Sequence, residues 1–260
     1  MRFTTTFGWL LLTGATFTSA AKTSHSSASK SSSAAGAGAS SGAASCSLAS
    51  GDTQVLQFSW VLSDFIQKFY ASMPVNENVA SQLQNSSSSS KALSNLQGLE
   101  KQNNLSVDAI KQLGMKAPNF KQPSCSYTLP KADSIPAFAM YAYQLEYTLS
   151  GGFIGLAGYT QSPEVSFLLA RLAAEHSAHA TWIGSRVNSS MFSPSSNSLV
   201  DAYSPTQILE TKNQTGSLGQ YLNGCVTAPK SPCGMIQIGP LDATVTASAA
   251  SSTGSSKRRF

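Results

Sequence analysis

Between Asp133 and Glu164 the chain carries only one charged side chain, that of Glu146. A helix with this composition is apolar nearly all round, so it must be covered by other parts of the protein. The sequence therefore predicts a central helix from Ser134 to about Gly158. The carboxylate in such a helix needs partners, because an uncompensated buried charge costs several kcal/mol or more.

Three further segments have apolar residues at the three- and four-residue spacings that are typical of amphipathic helices. They cover 55–69, 93–113 and 163 to about 187, and the polar connection 116–131 separates the second of them from the central helix. A shorter helix is predicted at 205–211. Four long helices with a long middle connection predict an all-α fold, a four-helix bundle with a crossover connection.

The N-terminal end is typical of a secretory signal, with a positive charge at Arg2, an apolar run at 7–17 and small residues after it. We predict that residues 1–20 form this signal. The run is shorter than the ~20 apolar residues that cross a bilayer, and no later stretch is predicted to do so. The chain is therefore expected to be secreted and to have no transmembrane segment.

Ser, Ala and Gly make up nearly all of residues 21–45, and the same composition returns in 241–260. Such segments lack the apolar side chains that offset the entropy of ordering, so both are predicted to be disordered tails. Residues 46–240 remain as one folded domain, which contains eleven Lys and Arg and eleven Asp and Glu. A formally neutral domain has no basic face to neutralise phosphates, which argues against a nucleic-acid partner.

An even number of cysteines in an exported chain favours disulfides over free thiols. Cys46, Cys125, Cys225 and Cys233 allow three connectivities. We prefer Cys46–Cys125 with Cys225–Cys233, because the second pair closes a short loop that contains proline. A zinc site is not favoured, since the chain has no Cys-x-x-Cys spacing.

Four Asn-x-Ser/Thr triplets are candidate N-glycosylation sites and agree with export. They begin at Asn85, Asn104, Asn188 and Asn213. A glycan on Asn104 would place that turn of the second helix at the surface, and would exclude its neighbour Asn103 from a buried site.

Two histidines interrupt the apolar stripe of the fourth helix. His176 and His179 are three residues apart, so both side chains lie on one face. Glu175 is one residue off that face and four residues before His179, close enough to orient its ring. One carboxylate, Glu146, facing two imidazoles in a bundle core is typical of a metal site. The alternative, which we favour from the sequence alone, is structural pairing of these groups with each other or with the hydroxyls of Tyr141, Tyr143 and Tyr147.

The central helix also contains many small side chains, for which close helix packing is favoured over a cavity that holds an apolar ligand. These residues are Ala137, Ala139, Ala142, Gly151, Gly152 and Gly155.

Several motifs together resemble the fungal secreted ferritin-like domain proteins, which include stress-response and late-sexual-development proteins. The motifs are Leu145-Glu146 in the apolar helix, Glu175-His176-Ser-Ala-His179-Ala-Thr-Trp182, Cys125-Ser-Tyr-Thr-Leu-Pro130, Phe69-Tyr70 and the segment from Cys225 to Pro240. The resemblance covers roughly residues 46–245. It implies a ferritin-like four-helix bundle.

Iron-binding members of that fold use a Glu from each of two helices and a Glu-x-x-His from each of the other two. On the first helix of this chain the corresponding position is Ser63, beside Asp64, and the second helix has Glu100-x-x-Asn103. At least two expected ligands are therefore missing. The resemblance implies a degenerate site rather than a full di-iron centre.

Two functions are consistent with this pattern. The first is a non-catalytic protein, secreted or associated with the cell wall, that acts in development, in stress or at a host surface and needs no cofactor. The second is a metal-binding protein or oxidase with a mononuclear site for one divalent metal or iron. The candidate ligands are Glu146, Glu175, His176 and His179, with Glu100 as a weaker candidate.

Overall fold

The computed structural model describes residues 48–83, 89–187, 200–232, 237–238 and 241–242. Its helices are α1 (Asp52–Ala71), α2 (Glu77–Leu83), α3 (Ser89–Gly114), α4 (Ile135–Ala157), α5 (Pro163–Val187), α6 (Pro205–Ile208) and α7 (Gly219–Leu222). Two short strands, β1 (Gln237–Ile238) and β2 (Leu241–Asp242), pair antiparallel. The predicted signal and leader, and residues 243–260 of the predicted tail, lie outside the described residues, whereas the first two residues of that tail form β2.

Four long helices, α1, α3, α4 and α5, form a bundle whose directions follow from contacts between side chains. The amide of Gln67, late in α1, donates to Asn104 of α3, whereas Thr53, early in α1, donates to Pro118 just after α3. These two helices are therefore antiparallel. The Ser150 hydroxyl of α4 donates to the Ala173 carbonyl of α5, and Glu146 contacts His176 one turn further along, so α4 and α5 are antiparallel as well.

Helix α3 is also antiparallel to α5, because Ser106 contacts Glu175 and Gln102 contacts His179. Helices α3 and α4 must then run in the same direction, so the chain has to travel the length of the bundle between them. The segment 115–134 does this alongside α1. This confirms the predicted all-α bundle with a crossover connection.

The crossover is held against α1 by side-chain hydrogen bonds. Gln57 donates to the Lys121 carbonyl at 3.0 Å, and the Tyr127 hydroxyl donates to the Asp64 carboxylate at 2.8 Å. At the start of α1, the buried Asp52 carboxylate accepts from the backbone N–H of Gln161 at 2.8 Å. The connection between α4 and α5 is thereby joined to the first turn of α1.

Helix α4 is central, as its composition predicts. It begins where the Ser134 hydroxyl accepts from the backbone N–H of Ala137, with Pro136 in the first turn. Leu145, Leu149 and other apolar side chains of this helix are buried in the main hydrophobic core. Although α4 is strongly apolar, none of the helices in the described part of the chain is long and apolar enough to span a membrane.

One side of α4 is covered by residues 200–232, which we call the strap. The backbone N–H of Tyr203 donates to the Gly151 carbonyl at 3.0 Å. A Cβ added to Gly155 would overlap the Tyr203 carbonyl, and one added to Gly151 would overlap the Asp201 carbonyl. The packing at these two glycines is close, as predicted, but the neighbour is the non-helical backbone of the strap and not another helix. The helix predicted at 205–211 is shorter and ends at Ile208.

The preferred disulfide pairing is wrong, because Cys125 of the crossover is bonded to Cys225 of the strap. The two segments lie side by side: the Thr128 N–H donates to the Tyr221 carbonyl at 2.9 Å, and the Cα atoms of the cysteines are 5.5 Å apart. Cys46 and Cys233 lie outside the described residues. The bond closes a loop of 100 residues, for which the chain-entropy model gives about 4.7 kcal/mol of stabilisation, more than for a short loop.

Two of the four candidate glycosylation sites, Asn104 and Asn213, are exposed. Asn85 and Asn188 lie outside the described residues. No helix was predicted at 77–83, where the structure has α2.

The contact between α4 and the strap generates a prediction. Replacing Gly155→Ala should lower the free energy of unfolding by about 1–3 kcal/mol, because the methyl group forces the strap away from α4. Gly98→Ala is the matched control, since its Cβ would meet nothing within 4 Å in the middle of α3. It should stabilise the helix by roughly 0.5–1 kcal/mol. Urea unfolding measures both, and equal effects of the two substitutions would contradict the packing described.

Candidate functional site

The carboxylate of Glu146, on α4, is fully buried at the centre of the bundle. Four side chains from the other three long helices surround it. The Tyr70 hydroxyl donates to Oε1 at 2.9 Å, Asn103 Nδ2 donates to Oε1 at 3.3 Å, His176 Nδ1 lies 2.5 Å from Oε2, and His179 Nδ1 lies 3.3 Å from Oε1. We call these five residues the core cluster. The cluster joins α1, α3, α4 and α5 through a single carboxylate.

Helical spacing places both imidazoles where they can reach Glu146. His176 and His179 are on one face of α5, and their ring centroids are 5.9 Å apart. The His176 ring is stacked on Phe153 of α4 at 5.2 Å, which fixes its plane. On the far side of His179, Nε2 lies 2.7 Å from the side-chain oxygen of Gln102 on α3.

The electrostatics of the cluster keep Glu146 ionised. Burial by itself raises the pKa of this carboxyl, but the charge and hydrogen bonding of His176, and then of His179, outweigh it and lower the pKa from 4.5 to about 2. Burial, followed by the charge and hydrogen bond of Glu146, raises the pKa of Tyr70 well above its usual value. Tyr70 is therefore a neutral donor, and Glu146 is a charged acceptor.

The structure brings three of the predicted ligands together and separates the other two. One ligand atom from each of Glu146, His176 and His179 lies within 4.8 Å of the others. Glu175 instead accepts a hydrogen bond from Ser106 at 2.7 Å, at the edge of the bundle. Glu100 is partly buried and is not part of this group.

Two polar neighbours of the site, Tyr70 and Gln102, were not predicted, and a third, Asn103, was placed at a ligand position only by the resemblance. The spacing of apolar and polar residues in the sequence does not distinguish Tyr70 from other core residues or Gln102 from other surface residues. Asn103 was expected to be excluded from a buried site if Asn104 carries a glycan. In the structure, a buried Asn103 and an exposed Asn104 are compatible. Asn103 is fully buried while Asn104 is exposed, because successive residues of a helix point about 100° apart.

The donor set does not fit the di-iron centre found in iron-binding members of this fold. Two divalent cations need several bridging carboxylates, and the core cluster contains only Glu146. Ser63 is fully buried on α1, and its hydroxyl has no hydrogen-bond partner among the described residues. Asn103, on α3, is buried and directs its amide nitrogen to Glu146.

Four long helices with a crossover between the second and third, and with carboxylate and imidazole groups turned inward from α4 and α5, define the ferritin-like class of bundles. The sequence model of the ferritin-like domain family matches residues 51–189, and the chain belongs to that family. The match covers α1 to α5 and ends before the strap. No curated protein and no solved structure matches the chain.

The burial of a single carboxylate between four helices leads to a second prediction. Glu146→Gln should lower the free energy of unfolding by about 3 kcal/mol or more, because it leaves two buried imidazoles without their charged partner. Glu100→Gln is the control, since this side chain lies on α3 outside the core cluster, and it should change stability by less than about 0.5 kcal/mol. Urea unfolding gives both values. A Glu146→Gln protein as stable as the parent would show that the cluster does not hold the bundle.

Proposed function

We propose that this chain is a non-catalytic ferritin-like protein, in which a hydrogen-bonded core cluster takes the place of a di-iron centre and the bundle serves as a scaffold. The observation that carries the proposal is the state of the Glu146 carboxylate. Its two oxygens are contacted by Tyr70, Asn103, His176 and His179, so the carboxylate is already satisfied by contacts within the protein. His176 Nε2 and the Asn103 side-chain oxygen, in contrast, are buried and have no hydrogen-bond partner among the described residues.

The contacts of His179 support the same proposal. Its Nε2 lies 2.7 Å from the Gln102 side-chain oxygen and its Nδ1 lies 3.3 Å from Glu146, so both ring nitrogens have partners within the protein. A metal ion on either nitrogen would have to displace one of these contacts.

We further propose that the protein is secreted and acts outside the cell or at the cell wall, in development, stress or host interaction, as the resemblance to the fungal proteins implies. The signal-type sequence of residues 1–20 supports export, and the Cys125–Cys225 disulfide is compatible with an oxidising compartment. After expression of the full chain in a secreting host, the protein should appear in the medium with its N-terminus near Ala21. Retention in cells with Met1 in place would refute export.

The absence of a resident metal is tested by elemental analysis. Protein purified from a secreting host should retain clearly less than one equivalent of metal after incubation with Fe²⁺, Mn²⁺ or Zn²⁺ followed by desalting, because each ion would have to displace the contacts of the core cluster. His179→Ala should give the same low values. Two equivalents of iron in the parent protein would contradict the proposal and restore a di-iron centre.

One observation favours a second candidate, a metal-binding protein or oxidase with a mononuclear site. The ligand atoms of Glu146, His176 and His179 lie within 4.8 Å of one another, and two imidazoles with one carboxylate suit a single divalent ion such as Zn²⁺ or Fe²⁺. In that case these three side chains would hold the ion. The same elemental analysis distinguishes the two candidate functions. One equivalent of metal in the parent protein, lost in His179→Ala, would support the mononuclear site and exclude the metal-free cluster.

A further inference from the structure

A cleft of about 540 Å³ lies between α4 and the strap, separate from the core cluster. Four tyrosines line it, Tyr141, Tyr143 and Tyr147 from α4 and Tyr221 from α7, and each is half-buried. The volume is within the roughly 300–1,000 Å³ that is typical of small-molecule sites. None of the residues of the core cluster lines this cleft.

The walls of the cleft are fixed before any ligand arrives. On one side, α4 is packed into the core of the bundle, with Leu145 only 4% exposed at the base of the cleft. On the other side, the strap is held by backbone hydrogen bonds, from Leu218 N–H to the Ile208 carbonyl at 2.7 Å and from Tyr203 N–H to Gly151. The Tyr221 ring is stacked on Phe65 of α1 at 5.8 Å. A preformed cleft loses little free energy to ordering when a ligand binds.

Polar groups line the cleft beside the rings. They include the amides of Asn213, Gln214 and Gln220; Gln214 Nε2 already donates to Glu210 at 2.8 Å, and each amide has further donor and acceptor capacity. At its base, the Ser217 hydroxyl is buried and has no hydrogen-bond partner among the described residues. A buried polar group of this kind is costly unless a water or a ligand supplies a partner. The cleft thus offers flat apolar surfaces beside unfilled hydrogen-bonding capacity.

The charge of the lining narrows the class of ligand. Asp201 is the only charged residue among the described residues that line the cleft. A phosphate or carboxylate ligand would meet this carboxylate with no cation to balance it. A purely apolar ligand would bury the amides and the Ser217 hydroxyl without partners, at a cost. The ligand that fits carries many hydroxyl or amide groups, has flat C–H faces and bears no negative charge.

We propose that this cleft is a binding site for a neutral saccharide. The C–H face of a sugar ring would pack on the tyrosine rings, whose apolar faces and polar hydroxyl edges suit a ligand of mixed character. The sugar hydroxyls would pair with the amides and with Asp201. This inference does not depend on whether the core cluster holds a metal, because the two sites share no residues.

A saccharide of this kind has two sources, a glycan attached to the protein itself and a free oligosaccharide. Asn213 begins an Asn-x-Thr triplet and lies on the wall of the cleft with its side chain exposed. An N-linked glycan there would begin with two β-1,4-linked N-acetylglucosamine units directly beside the tyrosines. A free oligosaccharide from outside would present the same groups. A β-1,4-linked N-acetylglucosamine tetramer is therefore a probe for both sources.

The first arm of the test uses the full chain carrying Asn213→Gln, which leaves the cleft without an attached glycan. Calorimetric titration with the tetramer should show binding. Adding Tyr143→Ala should weaken the affinity about tenfold, the loss expected for one aromatic contact, and Tyr143→Phe should retain it. Tyr159→Ala is the matched control, because this half-buried tyrosine lies outside the cleft and should leave the affinity unchanged.

The second arm compares the thermal unfolding temperatures of glycosylated protein and Asn213→Gln, with and without Tyr143→Ala. A glycan seated in the cleft should raise the unfolding temperature only when Tyr143 is present.

Tetramer binding that depends on Tyr143 supports the proposal with a free saccharide as ligand, and a glycan effect that depends on Tyr143 supports it with the attached glycan. The absence of both results would overturn it. Equal affinity for a tetramer of galacturonic acid, which is anionic, would also overturn the selection for neutral sugars.

Discussion

The bundle depends on one buried charge, the Glu146 carboxylate. A carboxylate at this depth is destabilising unless its oxygens are satisfied, and here the partners come from every other long helix. Tyr70, Asn103 and His176 can reach it together only if α1, α3 and α5 have one particular rotation and vertical position relative to α4. The apolar contacts of the core supply most of the stability, but they tolerate small shifts of the helices. The carboxylate makes such shifts costly.

Much of this arrangement could be predicted from the sequence, and the reason is periodicity. Helix α4 is recognisable because Glu146 is its only charge, and α5 because His176 and His179 continue an apolar stripe. The crossover follows from the length of the polar connection before α4. By contrast, α2 has only two buried residues, Val79 and Ala80, which is too short a pattern to detect.

The features that could not be predicted depend on contacts between residues that are distant in the chain. Tyr70 is one of several aromatic residues of α1, and nothing local shows that its hydroxyl meets Glu146, 76 positions later. The disulfide joins Cys125 to Cys225 because the crossover and the strap pass side by side, whereas sequence spacing favoured a short loop. The ligand positions filled by Ser63 and Asn103 were assigned from the resemblance, and burial of both side chains agrees with positions that face the core.

Helix α4 thus has two different sides. One side faces the other long helices and carries Glu146 of the core cluster, and another side is covered by the strap, with the tyrosine cleft between them. The central claim is that the core cluster is stable without a metal. It is tested most directly by the thermal unfolding temperature of the full chain before and after exhaustive chelation, and again after one equivalent of Fe²⁺, Mn²⁺ or Zn²⁺ is returned. Because an ion bound only to the native state raises stability by mass action, the account predicts one unchanged temperature in all preparations. A temperature that falls on chelation and recovers with one equivalent of metal, in the parent chain but not in His179→Ala, would contradict it.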